Sequence, residues 1–379
     1  MAKAKYTYNE ERKEWYTLAW DGTYNADGSK HRKWVSSKKS SKDLEEKIRQ
    51  LKTAIESNGA TLAGNISFYD YAMQWVNTSK SSRAPQTREM YEGCIRRHFS
   101  SFQNVLLQDI KHRHLQQLIN ANSGKPRTCQ IIDLTFRQII KSAVREHYLP
   151  KNALEDILED VSLPAYKKKE KRPLTDLEKQ AIKKVRLDDK KNAFIKILFY
   201  TGVRRGEALA LMREDFDFEK KVVSISKDVQ FLLSGSSIKY SPKSANGFRE
   251  IPLSDALIVE IRTYVDKCDD YLFKTRDGAI MTATAYRRMW ESIITSLNIA
   301  IGYNPNAKKN KSEKQITDLT AHIFRHNFCT ELCYQIPAIS TKKIAKILGD
   351  SEKMVLDVYS HIKEEKEDAA GAISNALKL

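Results

Sequence analysis

Cysteine is scarce, at 5 in 379 residues, and the five (Cys94, Cys129, Cys268, Cys329, Cys333) are scattered as well as odd in number. That excludes a disulfide framework and points to reduced thiols in a cytoplasmic protein. Long apolar runs are missing too. The best, FIKILFY, is interrupted by Lys196 and falls far short of the roughly 18 residues of a spanning helix. The N-terminal stretch MAKAKYTYNEERKEWY is charged throughout and has no apolar h-region, so no secretory signal is expected. Acid is short relative to base: 48 Asp and Glu face 65 Lys and Arg, for a net charge of +17. An excess of this size calls for a polyanionic partner, and with no support for a membrane, nucleic acid is the better reading. No internal repeat is visible.

What is present divides the chain. Hydrophobic residues make up 41% and charged residues 30%, which suits globular domains with cores, and the length suits two or three of them. Residues 1–60 carry the strand-like runs KYTY, EWYTLAW and HRKWVSS, separated by turn segments with Asp-Gly hairpin signals. A helix follows, opened by Ser40 with Asp43, lined by Leu44, Ile48, Leu51 and Ile55, and stopped at Gly59. Trp15, Trp20 and Trp34 are expected on one sheet face against that helix, leaving Lys13, Lys30, Arg32 and Lys33 on the opposite face for a DNA groove. Residues 65–163 read as all-helical, with Pro85 in a first turn. Their basic residues, Arg96 and Arg97 among them, form either a solvated face or one turned to DNA. A basic linker, 164–173, holds Lys167, Lys168 and Lys169, and Thr175 caps the next helix. Residues 174–362 mix helices with a small antiparallel sheet, and 363–379 form an amphipathic tail. The fold class is therefore multidomain α+β.

Four islands in the last domain carry chemistry. TGVRRGEALAL sets Gly202, Arg204, Gly206 and Glu207 at a turn into a helix. SPKSANGFREIPL places Lys243 in a hairpin and Arg249 near the returning strand. In HIFRH, helical spacing puts His322 and Arg325 on one face with His326 adjacent. LGDSEKMVLDVYSH carries Asp350 and Tyr359. A zinc site invites consideration, because His322, His326, Cys329 and Cys333 form one stripe. A straight helix cannot wrap four ligands tetrahedrally, so the two cysteines read as buried core thiols and no metal is expected.

In this order and at these intervals, the islands resemble the tyrosine recombinase family, in particular the integrases of phages and conjugative transposons. The resemblance implies a small N-terminal three-stranded sheet plus helix, an all-helical core-binding domain, and a mainly helical catalytic domain with a small antiparallel sheet. It assigns Arg204 and Arg325 as the phosphate-clamping arginines, His322 as a third donor or a proton acceptor, Lys243 as the acid and Tyr359 as the nucleophile. Glu207 and His326 take supporting positions. Asp350 departs from the pattern, since the family usually has histidine or tryptophan there; either it faces away toward a basic neighbour or the site is slower. Implied partners are double-stranded DNA at core and arm-type sites, three further copies of the chain in a homotetramer, and a DNA-bending or directionality factor. No cofactor is implied, and the expected setting is the bacterial cytoplasm, on the nucleoid. Two rivals stand beside this reading. A catalytically weak DNA architect on the same fold is favoured by Asp350 alone, and a type IB topoisomerase is disfavoured by the N-terminal sheet and helix.

Overall fold

The computed structural model describes residues 5–25, 29–58, 61–62, 66–167, 172–240, 248–306 and 313–366. The chain divides into two units, Met1–Lys168 and Lys169–Leu379.

The first unit begins with β1 (Thr7–Asn9), β2 (Glu14–Tyr24) and β3 (Lys30–Ser37), antiparallel neighbours in that order. α1 (Ser41–Asn58) follows, its first turn capped by Ser40 Oγ accepting from the Asp43 amide at 3.1 Å. β4 (Thr61–Leu62) then pairs parallel to β2. The sheet does not gather its tryptophans on one face. Trp15 pairs with Ser37, and Ser37 Oγ donates to Asp43 of α1 at 2.6 Å, so this is the helix side. Leu18 pairs with Trp34 and Trp20 with Arg32, three residues and five from Trp15, which strand alternation sends to the other face. There Trp34, 45% exposed, stacks on Tyr16 at 3.9 Å. One row of aliphatic residues on α1 covers one face only, and the aromatics opposite cover each other.

Among the described residues, five α-helices complete this unit: α2 (Phe68–Ser79), α3 (Pro85–His98), α4 (His112–Ala121), α5 (Pro126–Arg145) and the short α6 (Ala153–Leu158). Pro85 opens α3 at its first position, where its missing N–H is no loss. Phe68, Phe99, Phe102 and Phe136 form the centre of the core, with Phe68 stacked on Phe136 at 4.7 Å and edge-on to Phe99 at 5.5 Å.

In the second unit, Thr175 and Glu178 make a reciprocal capping box at the start of α7 (Asp176–Lys184). α8 (Asp189–Thr201) ends at Gly202, and α9 (Arg205–Leu209) begins three residues on. Strands β5 (Phe216–Asp217), β6 (Val222–Ile225), β7 (Lys227–Leu232), β8 (Gly235–Tyr240) and β9 (Arg249–Pro252) form two small antiparallel sheets, β5-β6-β9 and the β7-β8 hairpin. α10 (Asp255–Asp266), α11 (Ala283–Ala300), α12 (Ala321–Cys333), α13 (Thr341–Leu348) and α14 (Glu352–Lys366) follow. The main core is built on Phe194, Leu198, Phe273 and Phe324, all fully buried. A second, smaller cluster joins α12, α13 and α14 through Cys329, Cys333, Ile344, Leu348, Val355 and Ile362.

The approach to α12 is fixed by buried polar groups. Asn298 of α11, with no exposure, accepts from the amides of Gln315 and Ile316 and donates to the Ile316 carbonyl. Trp290 Nε1 donates to the Leu319 carbonyl at 3.1 Å. With a fourth hydrogen bond, from Asn298 Nδ2 to the Ile294 carbonyl at 2.9 Å, this buried amide specifies one backbone path, because any other leaves it unsatisfied. Among the described residues, no helix is long and apolar enough to cross a membrane.

Candidate active site

Arg204 stands at the N-cap of α9, and its position is set by the turn before it. Gly202 takes φ +60 to end α8, and a Cβ there would lie 2.5 Å from Phe328 Cδ1. Only glycine meets both demands. Glu207, three residues into α9, accepts from the Arg204 amide at 2.8 Å and from Arg204 Nη1 at 2.9 Å. The same carboxylate receives two hydrogen bonds from Arg249 of β9, at 3.1 and 2.7 Å. Burial alone would push Glu207's pKa up, but Arg249 and then Arg204 outweigh it and hold the group below its ordinary range.

Arg325 comes from the first turns of α12 and is 4% exposed. Its Nη1 donates to the Gly202 carbonyl at 2.9 Å and its Nη2 to the Leu348 carbonyl at 2.6 Å. Three arginines thus serve the end of α13: Arg249 Nε bonds Ile347 O at 2.9 Å, Arg325 bonds Leu348 O, and Arg204 Nη2 bonds Gly349 O at 3.1 Å. The unpaired carbonyls and negative dipole end of a helix attract cations, and here they assemble them. Gly349 has φ +65, and a Cβ on it would lie 2.9 Å from Arg249 Nη1.

Asp350 closes the arrangement. Its Oδ1 accepts from Arg204 Nη2 at 2.5 Å and its Oδ2 from Arg325 Nη2 at 2.5 Å. Sequence alone left open whether this side chain faces away; it faces inward and bridges the two arginines. Burial pulls Arg325's pKa down and the neighbouring Arg204 charge adds to this, with Asp350 opposing. For Arg204 burial also lowers the pKa, but Glu207 and Asp350 prevail and raise it.

His322, Arg325, His326, Asp350, Met354 and Val358 line one cleft. His322 is exposed on the Arg325 face of α12, and His326 lies 3.4 Å from Thr330 Oγ1 through Nδ1. Tyr359, half-buried on α14, packs at the edge of the cysteine-containing cluster that joins α14 to α12. Lys243 lies outside the described residues, between β8 and β9. No group of three or more His, Cys, Asp or Glu side chains arranged for a metal ion occurs among the described residues.

The remaining basic candidates scatter. Lys13 sits in the β1–β2 turn, Lys30 Nζ lies over Trp20 at 4.5 Å, and Arg32 and Lys33, consecutive in β3, point to opposite faces. Arg96 is paired with Glu92 at 2.8 Å. Arg97 lines a cleft with His98 and Lys125, where burial, then Arg97 and Lys125, lower the His98 pKa. Lys167 is exposed, while Lys168 and Lys169 lie outside the described residues. Arg249, noted in the sequence only for lying near the returning strand, belongs to the cluster through Glu207. Its signal was the strand period: Ile251 points inward, so Arg249, two residues earlier, does too and needs a carboxylate partner.

Comparison with known proteins shows the family. Residues 174–366 match the phage integrase family, and residues 67–122 match the phage integrase N-terminal SAM-like domain. The tyrosine recombinase XerC-like protein of Caldanaerobacter subterraneus subsp. tengcongensis is 24% identical, with 99% of each chain covered. The Tn1549 transposon integrase in complex with a circular intermediate DNA is 20% identical with a TM-score of 0.62, covering 80% of this chain and 100% of that one. A lambda integrase tetramer bound to a Holliday junction is 13% identical with a TM-score of 0.54, covering 93% of both chains. At these identities the structural likeness speaks for the fold. The sequence match spans just over half of the chain with the catalytic-domain family alone, and the chain belongs to the phage integrase family.

Proposed function

We propose that this chain is a site-specific recombinase of a mobile element that cuts and rejoins double-stranded DNA through a 3′-phosphotyrosyl intermediate. Arg204 and Arg325 hold the two non-bridging oxygens of the scissile phosphate, and Tyr359 Oη attacks the phosphorus. The phenol loses its proton, the new O–P bond forms, the bond from phosphorus to the 5′ oxygen breaks, and that oxygen leaves as a hydroxyl after taking up a proton. His322 lines the cleft beside Arg325 and is the third donor or the acceptor of the phenolic proton, and Lys243 supplies the proton to the leaving group. Fixed guanidiniums carry the charge that develops on the phosphate, so the reaction needs neither ATP nor a divalent ion.

One observation carries this reading: guanidiniums from two distant segments reach the two oxygens of a single anion, at 2.5 Å each. The order of elements supports the division of labour. The sheet and α1 are assigned to arm-type sites, the helices of 65–163 and the unit that follows to core sites, and the full reaction to four protomers in the bacterial cytoplasm. The lambda integrase tetramer on a Holliday junction supports that stoichiometry. The test is a nicked core-site substrate taken from the junction of the element that carries the gene, incubated in excess EDTA. A denaturation-resistant protein–DNA adduct is expected, absent from Tyr359→Phe although that variant still binds the DNA. An adduct that forms only with added metal, or equally well with Tyr359→Phe, refutes the reading.

A further inference from the structure

The clamp is already full. We propose that Asp350 is an internal stand-in for the scissile phosphate, a gate that closes the arginine pair until DNA bound at the correct site displaces it. The proposal rests on the recombinase reading of this site and adds a control that the reading does not contain.

Three features of the geometry support it. The carboxylate divides its oxygens between the two arginines, Oδ1 to Arg204 and Oδ2 to Arg325, as a phosphate with two free oxygens would. It carries the same negative charge at the same place, so the two anions exclude each other. Next, neither arginine depends on Asp350 for its position. Arg325 keeps the Gly202 and Leu348 carbonyls, and Arg204 keeps Glu207 and the Gly349 carbonyl. Releasing the carboxylate therefore leaves a preformed site rather than a collapsed one. Finally, Asp350 can leave. It follows the last turn of α13, its side chain is 28% exposed, and the Arg204 side chain beside it is 42% exposed, so the clamp is open to solvent on that side.

The consequence is selectivity. A phosphate must compete with a carboxylate tethered at the site, so its apparent affinity is the intrinsic one multiplied by the fraction of time the clamp is open. Contacts elsewhere on a correct site can supply the difference, whereas a phosphate on random DNA cannot.

Inorganic phosphate is the probe, because its binding requires no cleavage. Melting of the full-length wild type, Asp350→Ala and Asp350→Asn is compared in phosphate and in chloride of matched ionic strength. The wild type is expected to show a phosphate-dependent rise only at concentrations on the order of tenfold above those that Asp350→Ala needs. Asp350→Ala is expected to gain a saturable phosphate-dependent rise, by mass action on the folded state, and to lose it when Arg204→Gln is added. In parallel, first-turnover adduct formation by Asp350→Asn is expected to exceed wild type by on the order of tenfold, the factor by which the closed state suppresses binding. Equal phosphate responses in wild type and Asp350→Ala, or a response that survives Arg204→Gln, overturn the proposal. So does slower adduct formation by Asp350→Asn, which makes the carboxylate a participant. Failure of both Asp350 variants to fold, read by circular dichroism, makes it scaffold and likewise overturns the gate. If no protein forms an adduct, the recombinase reading fails, and the phosphate comparison still decides the gate.

Discussion

Glu207 binds two arginines with one carboxylate while almost wholly buried, with 9% of its side chain exposed. Removing one partner of such a group leaves Arg249, 3% exposed, as an uncompensated buried charge. Glu207→Gln is expected to lower unfolding free energy by about 3–5 kcal/mol, measured by urea denaturation. The pH dependence has a definite sign. Glu207's pKa is below its ordinary value in the folded protein, so its contribution is present above the unfolded value and fades as pH falls through the folded one. The gap between wild type and Glu207→Gln should therefore be widest near neutrality and narrow in acid; a gap that widens in acid contradicts the assignment. Of the residues around this carboxylate, Arg204 and Glu207 were picked out in the TGVRRGEALAL stretch, where the resemblance to the recombinases gave them their roles. The partner Arg249 was placed near the returning strand but given no role, since that role follows from a pairing 42 residues away that no local period displays. Asp350 was recognised as a departure, but its direction is decided by the two guanidiniums waiting for it.

At the scale of elements, α9 and β7 pack with almost no clearance. A Cβ on Gly206 would fall 2.0 Å from Asp228 Oδ1 and 2.8 Å from the Val229 carbonyl. Asp228 is itself pushed upward in pKa, by burial and then by Glu207. Gly206→Ala is expected to destabilise by about 1–3 kcal/mol through overpacking, and to depress adduct formation because α9 carries Arg204. Gly124→Ala, where nothing lies within 4 Å, is the control and should change neither; equal effects of the two substitutions would refute the packing argument. Three helices were readable in advance from their first residues: Ser40, Pro85 and Thr175 each stand where α1, α3 and α7 begin. The six-residue α6 was not, because so short an element shows less than two turns of periodicity. The tryptophans of the N-terminal sheet were misassigned to one face. Composition indicates that they are sheet residues, and only register decides which side each one takes.

For the whole molecule, 65 basic against 48 acidic residues call for a polyanionic partner, and the four islands in the second unit foretold the family. What the sequence did not disclose is how the site is held. The end of α13 collects Arg204, Arg249 and Arg325 on three successive carbonyls, an assembly of segments 98 to 145 residues apart for the outer two. The central claim is that this assembly presents a phosphorus to the oxygen of Tyr359. The most direct test digests the covalent complex trapped on a nicked core site and locates the nucleotide by mass spectrometry. The account predicts a 3′-phosphate ester on the peptide that contains Tyr359. A nucleotide on any other residue, or one attached through a 5′-phosphate, would contradict it.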